Sequence, residues 1–182
     1  MIDPAQVRAH SPLTTANLRL ERLGPEHFEG SYAASRDPET RRLSGNHNTE
    51  APEQYTARLS QLPDAEDRAD WAILRADDGA YVGEASLFRL DVHNEAMQFQ
   101  IALGGPSVFG KGYGSEAAKA VVDYGFDVVG LHRITLHVVD FNTRAQRVYG
   151  KLGFHSEGVL REAWLADGDW SDVITMAAIA GH

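Results

Sequence analysis

The chain has 182 residues, 43% hydrophobic and 24% charged, with a formal net charge of −9. That length and composition predict one globular domain over residues 1–182, and the acidic balance argues against nucleic acid as a partner, since nonspecific binding needs many cationic contacts. No cysteine is present, which excludes disulfides, thiolate metal sites and a cysteine nucleophile and fits a reducing, cytoplasmic compartment.

Residues 1–16 carry prolines and little periodicity and read as a loose lead-in without a secretory leader. Leu18–Leu23 alternates apolar and polar residues, as a strand does. Pro25–Asp37 and Pro52–Leu62 each open with proline at a first helical position, and SGNHNTE between them is a polar loop. Asp70–Ala76 and Tyr81–Leu90 flank an Asp-Asp-Gly turn and form a hairpin, followed by the alternating strand Ala96–Leu103. Ala118, Val121, Val122, Gly125, Val128 and Val129 recur at helical spacing, and Gly130 ends that helix. Arg133–Val139 is a β-branched strand. Asn142 is the N-cap of a helix whose stripe is Ala145, Val148, Tyr149 and Leu152. Two strands around Asp167-Gly168 close the chain. No apolar run approaches the ~20 residues of a membrane span, so no membrane partner is expected. The order is mixed α/β, antiparallel at first and βαβ later.

In the stretch LGGPSVFGKGYGSEAAKAVVDYGF, five glycines and a lysine lie between a strand and the helix that starts near Ser115. Gly105 to Lys111 matches G-x-x-x-x-G-K, but Gly112 stands where a P-loop needs a magnesium-binding hydroxyl. A dinucleotide fingerprint on Gly110 and Gly112 would need a third glycine where Ser115 stands. The remaining functional reading is a Gly-x-Gly-x-Gly loop running into a helix. Its backbone N–H groups and the helix start would cradle a pyrophosphate without a metal. A close-packed glycine turn is the plain structural alternative.

IALGGPSVFGKGYGSEA resembles the acyl-CoA loop of the GNAT superfamily of N-acetyltransferases, whose pattern is Gln/Arg-x-x-Gly-x-Gly/Ala. Gly112 and Gly114 match, while Phe109 departs from the first position. NTRAQRVYGKLGF is similar, nearly position by position, to the family's Asn-x-x-Ala-x-x-x-Tyr-x-Lys-Leu-Gly-Phe segment. The flanking LHRITLHVV and EGVLREAWLADGDWSDVITMA resemble the branch that includes the ribosomal-protein N-acetyltransferases. The likeness runs from about Leu18 to Ala178. It implies a mostly antiparallel central sheet, splayed at the CoA site, with helices on both faces. It implies acetyl-CoA as acyl donor without a metal. The pyrophosphate is expected on Phe109, Gly110, Lys111, Gly112, Tyr113, Gly114 and Ser115, with pantetheine beside Ile101, Ala102 and Leu103 and touching Asn142. Tyr149 matches the tyrosine that faces the thioester sulfur and is the candidate general acid.

The general base is less legible. Where the family often carries a carboxylate, this chain has Gln98, which takes no proton at neutral pH. Glu84 and His137 are the alternatives, weighed against a solvated glutamate and a packed histidine. An α-amine of pKa ~8 is about 10% neutral at pH 7 and a lysine of pKa ~10.4 only ~0.04%, so an α-amine needs less help. The expected acceptor is an amine-bearing small molecule or a protein N-terminus, attacked directly in a ternary complex. Specificity is expected from the first two helices, the SGNHNTE loop and the final hairpin, with Trp71, Trp164, Trp170, His47 and Asn48 as candidates. Arg41, Arg42 and Arg144 are candidates to reach a phosphate. A silent acyl-CoA sensor on the same fold and a P-loop nucleotide binder are the alternatives. A homodimer is open to such a chain, with no particular residue specifying it.

Overall fold

A computed structural model describes residues 2–45, 47 and 49–181. Eight strands form one sheet in the order β1-β2-β3-β4-β5-β6-β8-β7. These are β1 (Leu13–Thr14), β2 (Leu18–Arg22), β3 (Ala69–Arg75), β4 (Tyr81–Asp91), β5 (Ala96–Leu103), β6 (Arg133–Val139), β7 (His155–Ala166) and β8 (Asp169–Ile179). Every neighbouring pair is antiparallel except β5 and β6. Parallel neighbours need a crossover, and helix α5 (Tyr113–Tyr124) supplies it.

The strand at Ala69–Arg75 is buried at six successive positions, because both sheet faces are covered. Trp71 and Ile73 join the larger core, which also holds Ala118, Val121 and Val122 of α5 and Tyr149 of α6 (Thr143–Lys151). Ala72, pointing the other way, joins Tyr55 and Leu59 of α4 (Pro52–Gln61), with Phe28 and Tyr32 of α2 (Phe28–Arg36) packed against them.

Three expectations are corrected. The lead-in is packed rather than loose. Asp3 caps α1 (Pro4–Arg8), Val7 is fully buried, and His10 Nε2 lies 2.8 Å from the Asp70 carbonyl with its ring edge-on to Trp71. Residues 38–43, assigned to no element, and Ser44, assigned to the SGNHNTE loop, form helix α3 (Pro38–Ser44), started by Asp37, whose carboxylate accepts from Thr40 N–H at 2.7 Å. The helix after the glycine loop widens into a π-helical turn at Gly125–Val129. The extra residue in that turn rotates the end of the helix, so Val129 is buried and Val128 is 57% exposed.

The layer of α2 and α4 is tied down by hydrogen bonds as well as apolar contact. Ser31 Oγ donates to Glu84 at 2.8 Å, and Tyr81 OH donates to the same carboxylate oxygen at 3.2 Å. Tyr55 OH lies 2.7 Å from Ser31 Oγ. Burial raises the Glu84 pKa, with the Ser31 hydrogen bond opposing it. A raised carboxyl pKa in the folded state means that stability is fully present below the unfolded pKa. It is lost as pH rises through the folded value. Glu84→Gln removes that loss. Between about pH 4 and pH 7, the Tm of the wild type should decline relative to the variant. A constant difference in thermal melts across that range contradicts the account.

Candidate functional site

The β5–β6 ladder pairs Ala96 with Arg133, Met97 with Ile134 and Gln98 with Thr135, and then stops. Both strands continue, to Leu103 and Val139. Beyond the last pair they diverge, as the sequence reading expects. The gap opens into a cavity of about 160 Å³ that passes between the strands. Because side chains alternate across a strand, its two mouths are lined by different residues.

On the α5–α6 face, Phe99 meets the Tyr149 ring edge-on, with centroids 6.2 Å apart. Tyr149 projects from α6, which Asn142 starts by accepting from Ala145 N–H at 3.2 Å. Asn142 lines the cavity as well, so the capping and lining roles coincide. Burial pushes the Tyr149 hydroxyl up to about 12, and it has no hydrogen-bond partner among the described residues. A phenol in that state stays protonated at working pH, and its hydroxyl is free to donate a hydrogen bond into the cavity.

The glycine loop forms the next wall. Gly110 and Gly112 have φ of +78° and +84°, a region where side chains with a Cβ are strained. Gly112 is the N-cap position of α5, so the unpaired N–H groups of Tyr113, Gly114 and Ser115 point outward beside it. Helix dipole and N–H groups make this wall attractive to an anion. Glu116, the acidic residue of that first turn, is turned aside by hydrogen bonds with Thr15 and Asn17. The geometry matches a glycine cradle running into a helix start.

Of the residues singled out from the sequence, Ile101, Ala102 and Leu103 line the cavity, as do Phe109, Gly110 and Gly112. Tyr113, Gly114, Ser115 and Arg144 do too. Lys111 does not, and neither does Glu84, which is held by Ser31 and Tyr81 under α2. On the α3 mouth stand Thr40, Leu43 and Ser44, with Gln100 and the exposed His137. Sequence reasoning included Ser44 in the SGNHNTE loop but missed Thr40 and Leu43, although Asp37-Pro38 is a helix-start signal.

The three tryptophans separate. Trp71 is wholly buried and donates to the Ser11 carbonyl, while Trp170 is 60% exposed. Trp164 stacks on His47, centroids 4.0 Å apart, in a second cleft of about 450 Å³ shared with Arg41 and Arg42. Asn48 lies outside the described residues. Arg42 pairs with Glu39 and lies over the Phe141 ring.

Residues 17–155 match the family model described as an acetyltransferase (GNAT) domain. The chain is 33% identical over 129 residues to spermidine N(1)-acetyltransferase of Escherichia coli (strain K12), covering 70% of this chain and 69% of that one. It is 30% identical over 161 residues to an uncharacterized N-acetyltransferase, YoaA, of Bacillus subtilis (strain 168), covering 86% and 89%. Among solved structures it resembles spermidine N-acetyltransferase from Vibrio cholerae in complex with CoA and spermine. That match has a TM-score of 0.81 at 23% identity, covering 91% of this chain and 96% of that one. A GNAT-family acetyltransferase from Bacillus anthracis matches with a TM-score of 0.79 at 21% identity, covering 93% and 98%. With the splayed sheet, the glycine cradle and these relatives in hand, the chain belongs to the GNAT family and is an acetyl-CoA-dependent N-acetyltransferase.

Proposed function

We propose that this enzyme moves the acetyl group directly from acetyl-CoA to a primary amine, with both substrates bound at once. The observation that carries the reading is the gap between β5 and β6. It opens on a tyrosine hydroxyl at one mouth and a polar, exposed surface at the other. In this reading the loop Phe109–Ser115 holds the pyrophosphate on backbone N–H groups. The unpaired edge at Ile101, Ala102 and Leu103 bonds the pantetheine amides as a strand would. Asn142 contacts the pantetheine arm, and Tyr149 gives its proton to the departing thiolate.

The acceptor is the finer question. Relatives are named for spermidine, a polycation. The described cavity lining contains no Asp or Glu to pair with further ammonium groups, and at its α3 mouth it offers the uncharged Thr40, Leu43 and Ser44. These facts favour an amine of low charge: an α-amino group, on a small molecule or a protein N-terminus, over a polyamine. The protein N-terminus rests on the sequence resemblance alone. A homodimer has one supporting feature, the edge strand β7, where Val159 and Leu160 are 54% and 48% exposed.

Three measurements test the reading. Acetyl-CoA at about 100 times its Kd adds about 2.7 kcal/mol of stability, raising the Tm by roughly 5–10 °C; no shift sinks the proposed cradle. Tyr149→Phe should keep that thermal shift while kcat falls by about 10²-fold or more; a fall in binding instead would make Tyr149 structural. Among acceptors, alaninamide should be turned over with a higher kcat/KM than spermidine in a thiol-release assay; the reverse order overturns the low-charge acceptor.

A further inference from the structure

On the transferase reading, we propose that His137 is the catalytic residue that takes the proton from the attacking amine. The cavity holds few groups able to do so. Among the described lining residues there is no Asp, Glu or Lys, and the ionisable side chains are Tyr113, Tyr149, Arg144 and His137. An arginine cannot be deprotonated at working pH and a phenol ordinarily titrates near 10. Histidine is the side chain whose ordinary titration spans neutrality. Glu84 shares the sheet face of Ala102, its β4–β5 partner, but its carboxylate is committed to Ser31 and Tyr81 outside the cavity.

Position supports the same assignment. The last β5–β6 pair is Gln98 with Thr135, so the next residues on that face are Gln100 and His137, one on each lip of the opening. Leu136 and Val138, alternating with His137, are buried in the larger core with Tyr149, whereas His137 is exposed. Tyr149 and His137 therefore stand at opposite mouths of one passage. A thioester lying between them presents its sulfur to the phenol and its carbonyl carbon to an amine arriving past the imidazole. The neutral amine nitrogen attacks the carbonyl carbon, and the new N–C bond replaces the C–S bond. His137 takes the proton lost by nitrogen, and Tyr149 supplies one to the sulfur. Solvent then removes the imidazole proton and restores the phenol.

Thr175 of β8 stands opposite His137, and Gln100 of β5 with Thr40, Leu43 and Ser44 of α3 share the cavity lining with it, while the charged residues of α3 are Glu39, Arg41 and Arg42. Arg144 of α6 is the cation sharing the cavity. No carboxylate among the described lining residues competes there for the amine proton.

A label tests this without knowing the acceptor. Bromoacetyl-CoA puts an alkylating carbon where the acetyl methyl would lie. An imidazole nitrogen there forms an N–C bond, bromide leaves, and the imidazole proton goes to water. Peptide mass spectrometry should find the adduct on His137, and prior acetyl-CoA should block it. An adduct elsewhere, or none, while acetyl-CoA still raises the Tm, overturns His137 and leaves the transferase reading standing. Neither adduct nor thermal shift removes both. With alaninamide and spermidine as acceptors, His137→Gln should lower kcat by about 10²-fold or more without changing the KM for acetyl-CoA. It should also abolish the acid limb of the pH–rate profile. Activity within a few-fold of wild type on the better acceptor, with that limb intact, overturns the proposal.

Discussion

Everything at the site depends on a sheet that stops pairing partway along two of its strands. Backbone N–H and C=O groups in a protein interior need partners, and an unpaired stretch is costly unless something else satisfies it. Here five residues of β5 and four of β6 extend past their last shared pair. Some of the demand is met locally. Thr40 Oγ1 donates to the Leu103 carbonyl at 2.7 Å, and Gly104 N–H reaches the Val82 carbonyl at 2.7 Å. β4 continues to pair with β5 as far as Gly83 and Leu103, so one edge of β5 is satisfied while the other faces the cavity. β6 is held likewise by β8 along its whole length. The opening is thus a seam between two fully supported half-sheets, and it keeps its width because each lip is fixed from behind.

On the proposed mechanism, that seam gives the two halves of the chemistry separate environments. Tyr149 is 8% exposed among Phe99, Phe154 and the apolar residues of α6, and burial alone raises its pKa. Burial disfavours the phenolate, so the phenol holds its proton at working pH and is a weaker acid than a free phenol. The opposite mouth is polar and open. A single histidine placed with the tyrosine would lie in the same low-dielectric pocket and lose its charged form. Placing the groups on alternate faces of adjacent structure lets one site hold a group that keeps its proton and another that can accept one. The period of two along a strand provides this arrangement directly.

Much of this is legible in the amino-acid order. The strands at 96–103 and 133–139, the Asn142 cap and the left-handed glycines all follow from local rules about alternation, capping and φ. The loop and the helix after it carry the family's pattern on residues whose chemistry makes sense alone. The less legible parts are long-range. Whether Glu84 or His137 reaches the site depends on which sheet face each occupies and on what covers that face. A strand glutamate looks available in sequence, but α2 brings Ser31 onto it from 53 positions away. The π turn at Gly125 is also tertiary: a Cβ there would lie 2.8 Å from Ile134 Cδ1, so packing on β6 shapes the helix end. The helices at Pro4 and Pro38 are different. Both begin with Asp-Pro, and both aspartates cap, so the signal is present in short segments whose weak periodicity hides it.

The two layers covering the sheet are held in different ways, and this bears on which side can adapt to an acceptor. The α5–α6 side is one continuous apolar core with Val121, Ile134, Met97 and Phe154 essentially inaccessible. Core volume is sensitive to single methylenes, so the donor side has little room to change. The α2–α4 side has a smaller core around Tyr55, Leu59 and Ala72, supplemented by the Ser31, Tyr55, Tyr81 and Glu84 hydrogen bonds. α3 touches the sheet through Thr40 and otherwise presents Leu43 and Ser44 to the cavity, with Arg41 and Arg42 toward the second cleft. Substitutions on that short helix disturb few buried contacts. On the proposed reading, the side that holds the donor is therefore built for constancy, and the side the amine crosses is built from parts that can be exchanged without unpacking the protein.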